Sequence, residues 1–247
     1  MEYQPVIDIE KCPICNTPTA SNPISFSCAS FEVVQCSNCQ THYHKKYFDK
    51  KEMIEYYSEL YCYSRDKKDS NPKFSETIFQ QRLSKSHRKK PLSYFNDISS
   101  KLKILEIGCD AGGTIRHLYS LGHEVTGLDM CPEYVERLKG EGIEVYCTSF
   151  DDVTFEKETF DFVVCFEVLE HFINPVENVK KIYDILKKDG GFLFTTPLVK
   201  NGFKKFDGKD RAFQLPHFCV YNSTSLKYLL KDFLIEERSG YFIAKKL

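Results

Sequence analysis

The stretch Lys103-Ile104-Leu105-Glu106-Ile107-Gly108-Cys109-Asp110-Ala111-Gly112-Gly113, followed by Val125-Thr126-Gly127-Leu128-Asp129, constrains this chain more than any other feature. A short apolar run carries an acid near its end, and a glycine-rich turn then opens a helix. A second apolar run ends in another acid, Asp129, 21 positions after Gly108. A doubly wound α/β domain uses this arrangement to hold a nucleoside at the C-terminal edge of its parallel sheet. The glycines let backbone approach a ligand without a Cβ in the way. A carboxylate at the tip of the second strand can accept hydrogen bonds from both ribose hydroxyls.

The glycine spacing is Gly108-x-x-x-Gly112-Gly113 rather than G-x-G-x-x-G, so the dinucleotide fingerprint is not met. Glu106 adds an argument from charge. A carboxylate at the end of the first strand is costly to bury unless a cation or good donors face it. It would repel a pyrophosphate and welcome an ammonium or a sulfonium, which favours S-adenosylmethionine over NAD. The segments LEIGCDAGG, GLDM and FDFVVCFEVLEHF resemble the first, second and fourth strand motifs of the class I methyltransferases, over about residues 101–200.

That resemblance implies an S-adenosylmethionine-dependent methyltransferase on a Rossmann-like doubly wound α/β fold. Its sheet would have seven strands with an antiparallel last strand. It also implies cofactor-binding positions: Glu106, Gly108, Cys109 and Gly112 around the amino-acid part, Asp129 at the ribose and Met130 on the adenine. The turn after the third strand would give Phe150 and Asp151 to the adenine edge, and Cys165 would offer backbone to the methionine moiety. The chain departs from the family pattern at Asp110, where a glycine is general, and at Ser149, where an aspartate is common. Asp tolerates left-handed backbone better than most residues.

From 101 onward strand and helix signals alternate, as in a parallel sheet covered on both faces. Strands are expected at 103–107, 124–129, 145–148, 160–166 and 191–197. Helices are expected near 113–121 and 132–139, and a third runs from Asn174-Pro175 through Leu186 to a stop at Gly190. A long polar loop over 198–216, a helix over 223–230 and two closing strands at 233–238 and 241–246 complete the domain. Residues 45–100 read as amphipathic helix, with an aromatic run starting at Tyr56-Tyr57. That run is either a packing face or a flap over the cofactor, where an aromatic ring attracts a cation. Ser86-His87-Arg88-Lys89-Lys90 reads as a solvated basic helix end.

At the N-terminal side, Cys12-Pro13-Ile14-Cys15 and Cys36-Ser37-Asn38-Cys39 form two CxxC pairs with 20 residues between them. That spacing lies at the edge of what a four-cysteine zinc ribbon uses. Two thiolate knuckles make a tetrahedral, closed site, which suits a structural Zn2+; a rubredoxin-like iron site is the rival. The expected organisation is a ribbon over 1–48, a helical connector over 49–100 and a methyltransferase domain over 101–247.

Methyl transfer from a sulfonium needs alignment, a dry pocket and, for an alcohol or carbon acceptor, a base. His171, beyond the fourth strand, and His217, after the long loop, are the candidate catalytic residues, since imidazole titrates in the useful range. Each has a structural alternative, bracing a loop or facing solvent. The net charge of −1 argues against a nucleic-acid binder. No apolar run approaches 18 residues and no signal segment is apparent, so a cytoplasmic protein without a membrane span is expected. The layout is similar to that of bacterial methyltransferases that modify glycans and sugar nucleotides, which implies a small-molecule or glycan acceptor. Two other readings stand beside it: an RNA methyltransferase gripping substrate with its ribbon, and a non-catalytic interaction module with a vestigial pocket.

Overall fold

In a computed structural model, the structure describes residues 7–19, 24–28, 31–57, 89–199 and 216–247. The strands of the C-terminal part are β6 (Lys103–Ile107), β7 (Glu124–Asp129), β8 (Glu144–Cys147), β9 (Phe160–Phe166), β10 (Leu186–Thr195), β12 (Phe233–Arg238) and β13 (Tyr241–Lys246). They form one seven-stranded sheet in the order β12-β13-β10-β9-β6-β7-β8. The strands β6 to β10 run parallel, and β13 runs antiparallel to both β10 and β12. The order reverses beside β6, so the C-terminal ends of β6, β7 and β9 border the crevice where such sheets hold ligands.

Period-two alternation explains how one sheet carries two cores. Leu105, Ile107, Leu128, Val163, Cys165, Phe192 and Phe194 face one way. Ile104, Val125, Val145, Val164, Leu193 and Ile243 face the other. Burying each large apolar side chain stabilises the fold by about 1.5–3 kcal/mol. The helices Gly113–Ser120, Pro132–Gly140, Pro175–Ile185 and Ser223–Leu229 lie along the crossovers.

The helix expected to reach Gly190 ends at Ile185, because Leu186 already pairs with Phe160 on β9. A bulge follows before Gly191, with Asp189 left-handed at φ 62°. Gly190 and Gly191 are strand residues. A Cβ on Gly191 would lie 2.3 Å from the Phe162 ring.

The N-terminal part holds β1 (Ile7–Asp8), β2 (Ile24–Cys28), β3 (Phe31–Gln35), β4 (His42–His44), β5 (Lys46–Tyr47) and a short helix, Lys50–Glu55. Asp49 and Glu52 form a reciprocal capping box at the start of that helix. The antiparallel sheet β2-β3-β4 gains a fourth strand from far along the chain: β11 (Cys219–Val220) pairs with β4. Ribbon residues Cys12, Ile14, Val34, Tyr43 and Tyr47 share a continuous core with Leu105, Phe194 and Leu230. A four-residue helix, Lys89–Leu92, leads into a 3₁₀ turn whose Phe95 packs under the other face of the large sheet. The connector between 58 and 88, with its basic cluster at 86–88, and the polar loop over 200–215 lie outside the described residues. No helix among the described residues is long and apolar enough to cross a membrane.

Candidate functional site

The turn after β6 is built on backbone. The amides of Gly108 and Cys109 donate to Leu128 O at 2.8 and 3.0 Å, which binds the turn to the end of β7. Asp129 clamps both sides: Oδ2 accepts from Asp110 N at 2.7 Å and Oδ1 from Cys131 N at 2.9 Å. Asp129 also lines the pocket that opens at these strand ends. Gly108 sits at φ 72°, and a Cβ there would stand 2.5 Å from Val168 Cγ2. Asp110 takes the left-handed conformation at φ 49°, the tolerance expected of it in place of glycine.

Glu106 is 3 % exposed. Its carboxyl is hydrogen-bonded by the Thr114 side chain and the Ile115 amide, in the first turn of the helix that follows. Burial pushes its pKa well above the usual carboxylate range, and the charges of Asp129 and Asp110 push the same way. Its Oε2 is buried with no hydrogen-bond partner among the described residues.

A pocket of about 190 Å³ opens at these strand ends. Gly108, Asp129, Met130, Phe150, Asp151 and His171 all line it. The other expected cofactor positions stand behind its wall. Cys109 and Cys165 are buried, and Gly112 starts the helix at φ 85°. Lys50, Met53, Ile54 and Tyr57 line the pocket from the N-terminal side.

Glu167, left-handed at φ 58°, turns the chain out of β9 toward Glu170 and His171. The ring of His217 faces that of His171 at 4.8 Å between centroids. His217 is not among the residues that line the pocket. Glu170 completes the group: its Oε1 is 3.9 Å from His171 Nε2 and 4.0 Å from His217 Nε2. Thr196 Oγ1 donates to Glu170 Oε2 at 2.9 Å. Burial holds the His171 imidazole down to about 3, and the neighbouring His217 adds to this. Sequence reasoning missed Glu170 and the contact of Tyr57 Oη with His171 Nδ1 at 2.9 Å. The only signal for Glu170 was its place next to a candidate histidine.

The four cysteines of the CxxC pairs converge, with all Sγ atoms within 4.8 Å of one another. Cys12 and Cys39 approach to 3.5 Å and Cys15 and Cys36 to 3.4 Å, and all four are free thiols. Hydrogen bonding from Cys12 holds the Cys39 thiol down to about 5. This is the donor chemistry and spacing of a tetrahedral S4 centre.

Comparison with known proteins agrees with this geometry. A family model described as a methyltransferase domain matches residues 76–233. A ubiquinone biosynthesis O-methyltransferase of Glaesserella parasuis is 32% identical over 120 residues, 42% of this chain and 50% of that protein. One of Coxiella burnetii is 27% identical over 155 residues, 56% of this chain and 65% of that protein. The chain thus spans between half and two thirds of the length of these curated relatives. Among solved structures, an S-adenosylmethionine-dependent methyltransferase from Aquifex aeolicus superposes with a TM-score of 0.52 at 15% identity, covering 71% of this chain and 100% of that one. With the strand order and the Asp129 clamp already in place, the chain belongs to the methyltransferase-domain family and has the Rossmann-like fold of its S-adenosylmethionine-dependent members.

Proposed function

We propose that this protein is an S-adenosylmethionine-dependent methyltransferase acting on a hydroxyl (or carbon) of a sugar or other small metabolite. The single observation that carries this reading is the Asp129 clamp at the mouth of the pocket. A carboxylate is fixed by two backbone amides in the wall of the pocket, at the strand end where a ribose would lie. The curated relatives are named for an O-methylation, which supports an oxygen acceptor.

The residues present fit the cofactor. Glu106 Oε2 is a buried oxygen without a hydrogen-bond partner among the described residues, so a cationic ammonium close to it would meet a group able to ionise. Gly108 would give backbone to the amino-acid part, Asp129 would hold the ribose, and Met130, Phe150 and Asp151 would surround the adenine. When bound, S-adenosylmethionine supplies an electrophilic methyl whose departure leaves its bonding pair on sulfur. The protein's part is alignment and exclusion of water. Phe166, Val168, Phe172 and Ile173 wall the pocket with apolar surface. His171, which lines the pocket, and His217, whose ring packs against it, would act on the hydroxyl that is to be methylated.

The four-cysteine cluster fits Zn2+ in a structural role, and the organisation into a ribbon (1–48), a connector (49–100) and a catalytic domain (101–247) belongs to the same proposal. The ribbon's task is read from β11. The segment carrying His217 is pinned to the ribbon by Cys219↔Tyr43 and Val220↔His42 pairing and by His44 N donating to Phe218 O at 3.2 Å.

Calorimetry with S-adenosylmethionine on zinc-loaded protein tests the reading. Micromolar binding that is lost in Asp129→Ala is expected, followed by methyl transfer to members of a panel of sugar nucleotides and phenols. Absence of binding in folded protein would overturn it.

A further inference from the structure

Glu170, His171 and His217 come together beside the pocket. Each of these residues offers a ligand atom, and all three atoms lie within 4.8 Å of one another. The carboxylate-to-imidazole distances of 3.9 and 4.0 Å are too long for hydrogen bonds. They suit atoms arranged around a common centre, because metal–ligand bonds of about 2.0–2.6 Å separate neighbouring ligands by roughly 3–4 Å.

The second layer points the same way. His171 Nδ1 is approached by Pro216 O at 3.1 Å, which can only accept, and by Tyr57 Oη at 2.9 Å, which can accept as well as donate, so a proton on Nδ1 satisfies both. In that tautomer the Nε2 lone pair, 3.9 Å from Glu170 Oε1, is available to a metal ion. Metal-bound histidines are oriented in this manner, by giving the other ring N–H to a carbonyl or carboxylate. Glu170 is oriented too. Its side chain is 1 % exposed, and Thr196 occupies Oε2 and turns Oε1 toward the two imidazoles. Tyr47 Oη also donates to Pro216 O, fixing the carbonyl that fixes His171. One carboxylate oxygen and two ring nitrogens thus converge, with the carboxylate held by Thr196 and the His171 ring by Pro216 and Tyr57.

We propose that Glu170, His171 and His217 form a second metal centre, distinct from the four cysteines, that takes a divalent transition-metal ion through two nitrogens and one oxygen. Three protein ligands leave open positions, the mark of a working rather than a structural centre. His171 lines the pocket, so those positions face the acceptor end. There the ion would receive the acceptor's hydroxyl and make it more acidic, as such ions do for water. The hydroxyl's proton leaves to solvent, and its oxygen keeps the electron pair that bonds to carbon as the carbon–sulfur bond breaks. Metal binding stands on the geometry alone; the role assigned to the ion rests on the methyl-transfer reading.

The test is Co2+ titration of full-length, zinc-loaded protein, followed by visible absorption, with S-adenosylmethionine calorimetry on the same samples. One equivalent of Co2+ with weak ligand-field bands and no intense thiolate charge-transfer band is expected, bound through nitrogen and oxygen. His217→Ala and Glu170→Gln should each weaken it about 10–100-fold. Asp129→Ala should bind Co2+ as the unmodified chain does. Circular dichroism identifies any variant that fails to fold, and His217→Gln, which keeps side-chain volume, then replaces His217→Ala. No Co2+ bound outside the cysteines, or binding indifferent to both substitutions, would overturn the proposal. Co2+ binding without cofactor binding would keep the metal centre and remove the methyl-transfer reading; the reverse result would do the opposite.

Discussion

Tyr43 and Cys219 pair main chain to main chain, joining the ribbon sheet to the segment that carries His217. Two residues of strand are a weak bond by themselves, so the pairing depends on β4 being held in place by the ribbon. The ribbon in turn depends on its four thiols, since small modules of this kind draw folding energy from their metal. Cys39→Ser, or zinc removal by a chelator, should therefore let the His217 segment drift. A misplacement near 1 Å costs roughly 100-fold in turnover. Cofactor affinity should fall far less, because Gly108 and Asp129 sit on the other sheet. Initial rates and calorimetry on the same variant check this, and equal losses in both would contradict it.

Gly108 is a tight point of the turn. An alanine there must hold a left-handed φ, at about 1–2 kcal/mol, and its Cβ would stand 2.5 Å from Val168 Cγ2. Gly108→Ala should lower the melting temperature by several degrees and weaken S-adenosylmethionine binding. Adding Val168→Ala removes the collision but not the backbone strain, so the double variant should recover part of the stability. A double variant no better than the single one would show that the contact with Val168 is not the cause.

The Asp129 carboxylate satisfies two backbone amides at once, and each hydrogen bond to a charged group is worth about 1.5–3 kcal/mol. Asp129→Asn keeps one acceptor oxygen and turns an NH2 against the other amide, so it should be less stable than the parent and more stable than Asp129→Ala. Chemical denaturation of the three proteins gives the order. Identical stability of the parent and Asp129→Ala would remove the clamp.

The sheet was legible because its strands are apolar runs, several of which end at an acid or a glycine, as at Ile107-Gly108, Asp129 and Phe166-Glu167. The hairpin ends at 233–238 and 241–246 follow from Ser239-Gly240 in the same way. The end of the helix at Ile185 was not legible. Lys187-Lys188-Asp189 continues a helical pattern, and only pairing of Leu186 with Phe160 ends it. Nor was β11, since two residues carry no periodicity and its partner lies on β4. For the site, the turn residues could be read from spacing. The roles of Glu106 and Cys165 could not, because whether a residue lines a pocket or stands behind it is decided by side-chain direction at the strand ends. Glu170 became visible only when the fold brought His217 against it.

Glu106 makes the protein's pH response predictable in sign. Burial, with help from Asp129 and Asp110, raises its carboxyl well above the ordinary value in the folded state. The protonated form is therefore the one the fold prefers. Stability from this group is fully present below the usual carboxylate range, where folded and unfolded chains both hold the proton. It is lost as pH rises through the raised folded-state value, because the unfolded chain ionises first and is favoured by doing so. Glu106→Gln keeps a neutral group of the same size. The melting temperature of the parent should thus fall relative to Glu106→Gln between pH 5 and pH 8.5, and the gap should close at the acid end. Cofactor binding adds a second signature. An ammonium arriving beside Glu106 Oε2 would drive it to ionise, so binding should release a proton. Calorimetry of S-adenosylmethionine in two buffers of different ionisation enthalpy reads that proton directly, and Glu106→Gln should show no such release. An equal buffer dependence in both proteins would mean that the carboxyl does not face the bound cation, and that its work is confined to holding the first turn of the helix at Thr114 and Ile115.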